Sequence, residues 1–249
     1  MKSILCMAFA ALVSTAATAQ NEQERNNKGF TSLEVQDGIQ VIFTQSDVES
    51  VKVTSNGNSN LNFVVTESRG EKLAIYLNEN IKNTETEFSE IVKVYVSDNN
   101  IVSITAQTGA SVYITNQVDV PAITFNIKSG AAIKGIINAH DSCTIKAASG
   151  AAFNGSIITK RLNTDITGGA HINAYGSAEK TVIFCSGGTF NAGKFVTDHA
   201  DIIARRVSSV AVNVKISVMA NADNTSAITY SGNPEKIKMG DDTFAIRRK

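Results

Sequence analysis

A five-residue phrase with glycine at its second position recurs between residues 101 and 230. The five complete copies are Thr108–Val112 (TGASV), Ser129–Ile133 (SGAAI), Ser149–Phe153 (SGAAF), Gly168–Ile172 (GGAHI) and Ser186–Phe190 (SGGTF). Two degenerate copies follow, Ser208–Val212 (SSVAV) and Asn224–Ile228 (NTSAI). The second residues of successive copies are 21, 20, 19, 18, 22 and 16 residues apart. A period of this length is typical of a solenoid, in which each repeat forms one turn of the stack.

Alternating apolar residues surround each glycine of the phrase. The positions five and three before the glycine are mostly apolar, as is the position three after it. The pairs before the first five glycines are Ile104/Ala106, Phe125/Ile127, Ile145/Ala147, Thr164/Ile166 and Val182/Phe184. A period of two predicts strands with one buried face, and a glycine at a fixed place predicts a bend with positive φ. Because no coil buries its apolar face alone, we predict an all-β solenoid, a single-stranded parallel β-helix with coils of about 20 residues.

Residues 30–97 also carry alternating apolar positions but lack the glycine phrase. Asp37-Gly38 between two such segments predicts a β-hairpin, and Arg69-Gly70 predicts a second reversal. An exposed coil end is a sheet edge that needs covering, so we interpret residues 30–97 as strands that cap the first of the repeat coils at 98–232. The domain would span residues 30–246, with a basic tail at 247–249. A separate N-terminal sandwich domain is the alternative interpretation.

The first 19 residues have the features of a secretory signal peptide. Lys2 supplies the positive charge, Ile4–Val13 the apolar core and Ala17-Thr18-Ala19 the cleavage site. The apolar run is too short to span a bilayer, and Cys6 lies inside the core rather than at the cleavage point, which argues against a lipid anchor there. Residues 20–29 are polar and predict a flexible leader. We therefore expect export to the periplasm, the outer-membrane surface or the medium.

The charge balance disfavours several classes of partner. The chain has 23 basic and 23 acidic residues, and removal of a segment that holds only Lys2 leaves 22 against 23. The chain as a whole therefore has no excess of positive charge that would favour binding to nucleic acid or to an anionic membrane. The acids of the central coils, Asp141, Asp165 and Glu179, stand at different offsets from their glycines, so they do not predict the paired carboxylates of a glycosidase. The chain also has no tryptophan to stack on sugar rings.

Cysteine and histidine positions predict neither a disulfide nor a metal site. Cys143 and Cys185 stand at different places in coils two apart, so we interpret them as buried free thiols. His140, His171 and His199 lie at −10, +2 and +12 from their nearest glycines. Since these offsets differ, we expect no histidine column and no convergent set of metal ligands. We assign no catalytic, cofactor-binding or metal-binding residue.

The serial glycine phrases, the run Val210–Val214 and the segment Ala227–Pro234 resemble the head GIN domain family, DUF2807. Its members are labelled putative auto-transporter adhesins and are common among exported proteins of Bacteroidota. The Phe30–Phe43 segment and the strand at Leu73–Tyr76 are similar to the start of that family. The resemblance implies a right-handed β-helix located in the cell envelope or at the cell surface. The resemblance implies no catalytic residues, because none is established for the family.

Outward rows of Asn, Thr, Ser and Lys predict recognition through many weak polar contacts. We therefore predict an exported, non-enzymatic binding or adhesion module whose partner is an envelope component, a glycan or an extracellular protein. The alternative is a carbohydrate-active β-helix enzyme, a polysaccharide lyase or hydrolase, and an inert scaffold is a third reading. Two linked acids in one cleft would favour the enzyme, and a smooth polar face would favour binding.

Export should remove the first 19 residues, because Ala17-Thr18-Ala19 provides the small residues that signal peptidase requires. Mass spectrometry of the protein from its native host should therefore find an N-terminus at or near Gln20. A mature cytosolic protein that keeps Met1 would contradict this expectation.

Overall fold

The computed structural model describes residues 21–55, 61–78, 92–240 and 245–247. Within this part of the chain, 17 strands form one sheet. The predicted signal peptide and the basic residues 248–249 lie outside the described residues. The solenoid predicted from the glycine phrases is confirmed.

The strands of the N-terminal part are β1 Asn21–Arg25, β2 Ser32–Val35, β3 Gln40–Gln45, β4 Ser50–Ser55, β5 Val64–Arg69, β6 Lys72–Leu77, β7 Val92–Asp98 and β8 Ser103–Ala106. A short 3-10 helix, Leu61–Phe63, precedes β5. The long strands of the repeats are β9 Ser111–Lys128, β10 Ala132–Ala148, β11 Ala152–Thr167, β12 His171–Ser186, β13 Thr189–Arg205 and β14 Ser209–Ala222. The final strands are β15 Ala227–Ser231, β16 Lys236–Met239 and β17 Ala245–Arg247.

The glycine phrases form tight turns between successive coils. In the third phrase, Ser149 and Gly150 have φ of 55° and 73°, and the N–H of Ala151 donates to the carbonyl of Ala148 at 3.3 Å. Two successive residues with positive φ define a type I′ turn, which favours glycine. The N–H of Gly150 also donates to the carbonyl of Gly168 in the next coil at 2.9 Å. Hydrogen bonds therefore stack the turns as well as the strands.

Each repeat coil bends at a second corner, midway along its long strand. Two neighbouring side chains there point outward, which interrupts the alternation of buried and exposed residues. These pairs, called the second corner below, are Pro121-Ala122, His140-Asp141, Lys160-Arg161, Glu179-Lys180 and Asp198-His199. The strands on both sides of the corner are parallel to those of the neighbouring coils. One long strand therefore contributes side chains to the core from two directions.

The core consists of inward columns of apolar side chains. Val112, Ile133 and Phe153 occupy one column on consecutive coils, and all are buried. Phe125 enters from beyond the second corner, and its ring centroid lies 5.5 Å from that of Phe153. Full burial of such a side chain stabilises the fold by about 1.5–3 kcal/mol. Packing between columns thus holds the two halves of each coil together.

The N-terminal strands form further layers of the same solenoid. Strand β2 lies parallel between β6 and β8, and β3 lies parallel between β7 and β9. Asp37 and Gly38, with φ of 60° and 72°, form the turn between β2 and β3, and the N–H of Gly38 donates to the carbonyl of Thr108. The hairpin predicted at Asp37-Gly38 is therefore wrong, since the turn joins two strands of one coil. The reversal predicted at Arg69-Gly70 is present as the antiparallel pair β5–β6.

Antiparallel strands cover the N-terminal end of the stack. Strand β4 pairs antiparallel with β7, and β1 pairs antiparallel with β4. The guanidinium of Arg25 donates to the carbonyls of Leu61 at 2.8 Å and Val64 at 3.2 Å. The flexible leader expected at residues 20–29 is thus wrong for Asn21–Arg25, because this polar segment hydrogen-bonds along the open edge of β4.

The fifth coil corrects the predicted inward pair Val182/Phe184. Two residues, Gly187–Gly188, separate β12 from β13, whereas three separate β9 from β10, β10 from β11 and β11 from β12. Strand β12 keeps the register of β11 without a shift, so the shorter turn after it only moves the count back from Gly187 by one residue, and one residue is the difference between the two faces of a strand. Ile183 and Cys185 are therefore buried, Val182 is half-buried and Phe184 is 41% exposed.

Both cysteines of the repeats are buried free thiols, as predicted. Burial raises the pKa of Cys143 to about 12. The thiol therefore stays protonated near neutral pH, and it packs as a small apolar side chain.

Gly150→Val should lower the free energy of unfolding by about 1–3 kcal/mol, because a β-branched residue is strained at positive φ. A Cβ at Gly150 would meet no atom within 4 Å, so the loss would come from the backbone rather than from a clash. Ser156→Val in the following strand is the control, since it adds the same side chain at an extended position. Equal melting temperatures for the two variants would show that the turn is not constrained.

The turn after β13 lacks glycine, and its central residues Arg206 and Val207 have φ of 57° and 62°. Val207 is 76% exposed, so its side chain contributes little packing in return for the strained backbone. Val207→Gly should therefore raise stability by about 1 kcal/mol. Val48→Gly is the control, because Val48 is also exposed but has no positive φ, and it should lower stability through the unfolded chain. Denaturant unfolding measures both, and a loss of stability in Val207→Gly equal to the control would contradict this account.

Candidate binding surfaces

The first surface follows the glycine turns and is called the asparagine face. Parallel pairing in register places Asn154, Asn173 and Asn191 on consecutive coils in one outward column. Equivalent positions on neighbouring strands lie about 4.8 Å apart, which brings their amides into contact. The Nδ2 of Asn191 donates to the Oδ1 of Asn173 at 3.2 Å. The column therefore orders its side chains and still presents amide groups to solvent.

A shallow depression of about 200 Å³ adjoins this column, lined by Asn173, Ala174, Tyr175, Asn191, Gly193 and Lys194. The side chain of Tyr175 is 44% exposed, so a ring face is available beside the amides. An aromatic ring next to fixed donors and acceptors suits a polar ligand with some apolar surface, such as a sugar. Lys134, in the same column as Asn154, and Lys194 are the basic residues of this face.

The second corner carries charges that neutralise one another between neighbouring coils. The ion pairs are Lys160 Nζ–Asp141 Oδ1 at 3.0 Å and Lys215 Nζ–Asp198 Oδ1 at 3.6 Å, and His140 Nε2 forms a hydrogen bond with Asp119 Oδ1 at 2.6 Å. Hydrogen bonds from Asn138 and His140 lower the pKa of Asp119. These pairs are exposed, so each adds little to stability.

The structure brings some of the sequence-selected acids together and separates others. Glu179 lies at the second corner and, with Asp198 of the next coil, lines a depression of about 340 Å³. Asp141 lies at the same corner but pairs with Lys160. Asp165 lies beyond the corner, on a different face. The offsets from the glycines do not show that Glu179 and Asp198 lie together, because β13 carries one extra residue between Asn191 and Lys194.

Two of the histidines lie at the second corner but in different columns. His199 is opposite Lys180, and this column continues through Arg161 to Ser142, whereas His140 precedes Ser142 on β10. His171 follows the glycine turn instead. No group of three or more His, Cys, Asp or Glu side chains suited to a metal ion occurs among the described residues.

Together these features define, within the described residues, a β-solenoid with extended outward columns and shallow depressions. The chain belongs to the family described as "Putative auto-transporter adhesin, head GIN domain" (DUF2807), which matches residues 29–234. The family predicted from the glycine phrases is therefore confirmed. Comparison with curated proteins returns no significant match.

Three solved structures illustrate the shared fold. A putative adhesin from Parabacteroides merdae has a TM-score of 0.81 at 14% identity, over 92% of this chain and 96% of its own. A putative lipid binding protein from Parabacteroides distasonis has a TM-score of 0.71 at 18% identity, over 92% and 97%. A putative adhesin from Bacteroides fragilis has a TM-score of 0.66 at 15% identity, over 92% and 95%. Among the residues described in our structure, no helix is long and apolar enough to cross a membrane.

Proposed function

We propose that this protein is an exported, non-enzymatic binding module of the cell envelope or surface. The observation that carries the proposal is the asparagine column beside the depression at Tyr175, where ordered amides and an exposed ring share one face. The family description as adhesins supports a binding role. The ligand class that fits this face is a glycan, because hydroxyl groups match amide donors and acceptors and a sugar ring packs on tyrosine.

The shape of the asparagine face determines how such binding would behave. A shallow surface offers several separate polar contacts, each worth about 0.5–1.5 kcal/mol. A single copy of the protein therefore binds weakly, and display of many copies raises the apparent affinity. Few charges take part, so salt has little effect on the interaction.

The proposal predicts weak, nearly salt-independent binding to at least one polysaccharide or matrix protein in a panel of bacterial and host polymers, with stronger retention on a multivalent support. Asn173→Ala should weaken that binding by roughly threefold to tenfold, since it removes one ordered amide contact. Asn163→Ala is the matched control, because Asn163 is an outward asparagine beyond the second corner. Equal losses in both variants, or no binding anywhere in the panel, would contradict the assignment to this face.

A carbohydrate-active enzyme is the second candidate, and one observation favours it. Glu179 and Asp198 line the same depression at the second corner, as an acid pair in a polysaccharide-cleaving site would. Against it, the carboxylate of Asp198 pairs with Lys215. Product release should be followed in the same panel. Turnover that Glu179→Gln or Asp198→Asn abolishes would replace the binding proposal with the enzymatic one.

A further inference from the structure

A second surface, called the basic face below, starts at the column of Ser142, Arg161, Lys180 and His199 on the far side of the second corner and runs to the next glycine turn, in β10–β14 and β16. Its outward positions hold six basic side chains, Lys146, Arg161, Lys180, Arg205, Lys236 and Lys238. They also hold two carboxylates, Asp165 and Asp201. The formal net charge of these positions is +4, in a chain that is neutral as a whole. The solenoid thus concentrates on one face a charge that composition does not reveal.

The centre of the basic face is apolar. Phe184, Ile203 and Met219 are 41%, 44% and 46% exposed and lie on three consecutive strands, β12, β13 and β14. Phe184 and Ile203 are direct register partners, so their side chains stand about 4.8 Å apart. Met219 is the partner of Asp201, two residues along the strand from Ile203. Contiguous exposed apolar side chains with a polar rim mark an interaction site rather than ordinary surface.

Fixed charges surround this apolar centre. The Nζ of Lys180 lies 2.7 Å from the Oδ2 of Asp201, and Arg205 donates to the Oδ1 of Asn221 at 2.9 Å. Toward the C-terminal end, Met219, Ile237, Lys236 and Lys238 line a depression of about 430 Å³. Glu235 also lines it, and counting that residue leaves a net charge of +3. Basic groups therefore border the apolar side chains on several sides.

We propose that the basic face docks on the surface of an anionic lipid bilayer. Phe184, Ile203 and Met219 would enter the interface between headgroups and acyl chains, while the surrounding lysines and arginines would contact lipid phosphates. A soluble polyanion would match the charge but leave the apolar centre in water. A second copy of the protein would cover the apolar centre but bring two faces of like charge together, which is unfavourable.

Docking of this kind goes beyond the proposed function and uses different residues. The asparagine face has ordered amides and few charges, whereas the basic face combines charge with apolar side chains. The two interactions therefore differ in salt dependence: polymer binding changes little with salt, whereas membrane docking weakens as salt screens the lipid charge. A negative result for membrane docking therefore does not disprove polymer binding by the asparagine face, and the reverse also holds.

The first test uses the purified exported protein, with its N-terminus verified, and sedimentation with phosphatidylcholine vesicles that contain or lack phosphatidylglycerol. We expect binding only to the anionic vesicles, and release at high salt. Lys236→Gln with Lys238→Gln should weaken binding roughly twentyfold, since each basic group near an anionic surface contributes about fivefold. Lys134→Gln with Lys194→Gln removes the same charge from the asparagine face and should change binding less than about twofold. Equal effects of the two double variants, or no binding to anionic vesicles, would overturn the proposal.

The second test asks whether the apolar centre enters lipid. The chain has no tryptophan, so Ile203→Trp introduces a single fluorescent reporter. Its emission should shift to the blue on addition of anionic vesicles and stay unchanged with polyglutamate, whereas Tyr175→Trp on the asparagine face should show no shift. Phe184→Ser should weaken vesicle binding without lowering the melting temperature. A blue shift at Tyr175→Trp alone would contradict docking on lipid. So would equal binding of polyglutamate and vesicles, if Phe184→Ser also bound vesicles as well as the unsubstituted protein.

Discussion

Stacking in register is the constraint on which the rest of this structure depends. Each coil pairs in parallel with the next over most of its length, so a given place in the coil recurs about every 4.8 Å along the stack. The glycine turns keep this register, because they return the chain to the same starting point, and the first four do so with two successive residues at positive φ. Inward columns then bury the apolar side chains, and outward columns repeat whatever side chain the sequence supplies. Small sequence differences at one column therefore become a property of a whole face.

Local pattern was sufficient to predict the repeat fold, but not the layers before it. The phrases at Gly109, Gly130, Gly150 and Gly169 have the expected turns, because turn and strand signals lie within one coil. The placement of β2 between β6 and β8 joins segments that are 40 and 71 residues apart, and no local pattern encodes such pairing. The Asp37-Gly38 dipeptide predicts a hairpin wrongly for the same reason: it does form a tight turn, but the two strands that it joins pair with strands distant in the sequence and not with each other.

Surface features were harder to predict than the core, since they depend on which side each residue faces. The asparagines of the column each stand four residues after a phrase glycine, but only the register of the three coils shows that they form one outward column with a hydrogen bond between amides. The basic face is hidden for another reason. Equal totals of 23 basic and 23 acidic residues indicate neutrality, although register collects the charges of separate coils on particular faces. Net charge describes the chain as a whole, whereas electrostatic steering and docking depend on where the charges lie on the surface.

Strand β12 shows how the core and the surface are linked. It pairs with β11 without a register shift, so Phe184 stands outward opposite Asp165 and Thr181 stands inward opposite Leu162, which places a hydroxyl in the core and an aromatic ring partly in water. The inward change is compensated, because Thr181 donates a hydrogen bond to Thr197 at 3.0 Å, and Thr197 bonds in turn to the carbonyl of His199. The outward change has no such compensation within the described chain. The buried hydroxyl adds no apolar contact to the core, and a phenylalanine left partly in water adds little, so the apolar surfaces of Phe184 and its register partner Ile203 are available for contact at this face.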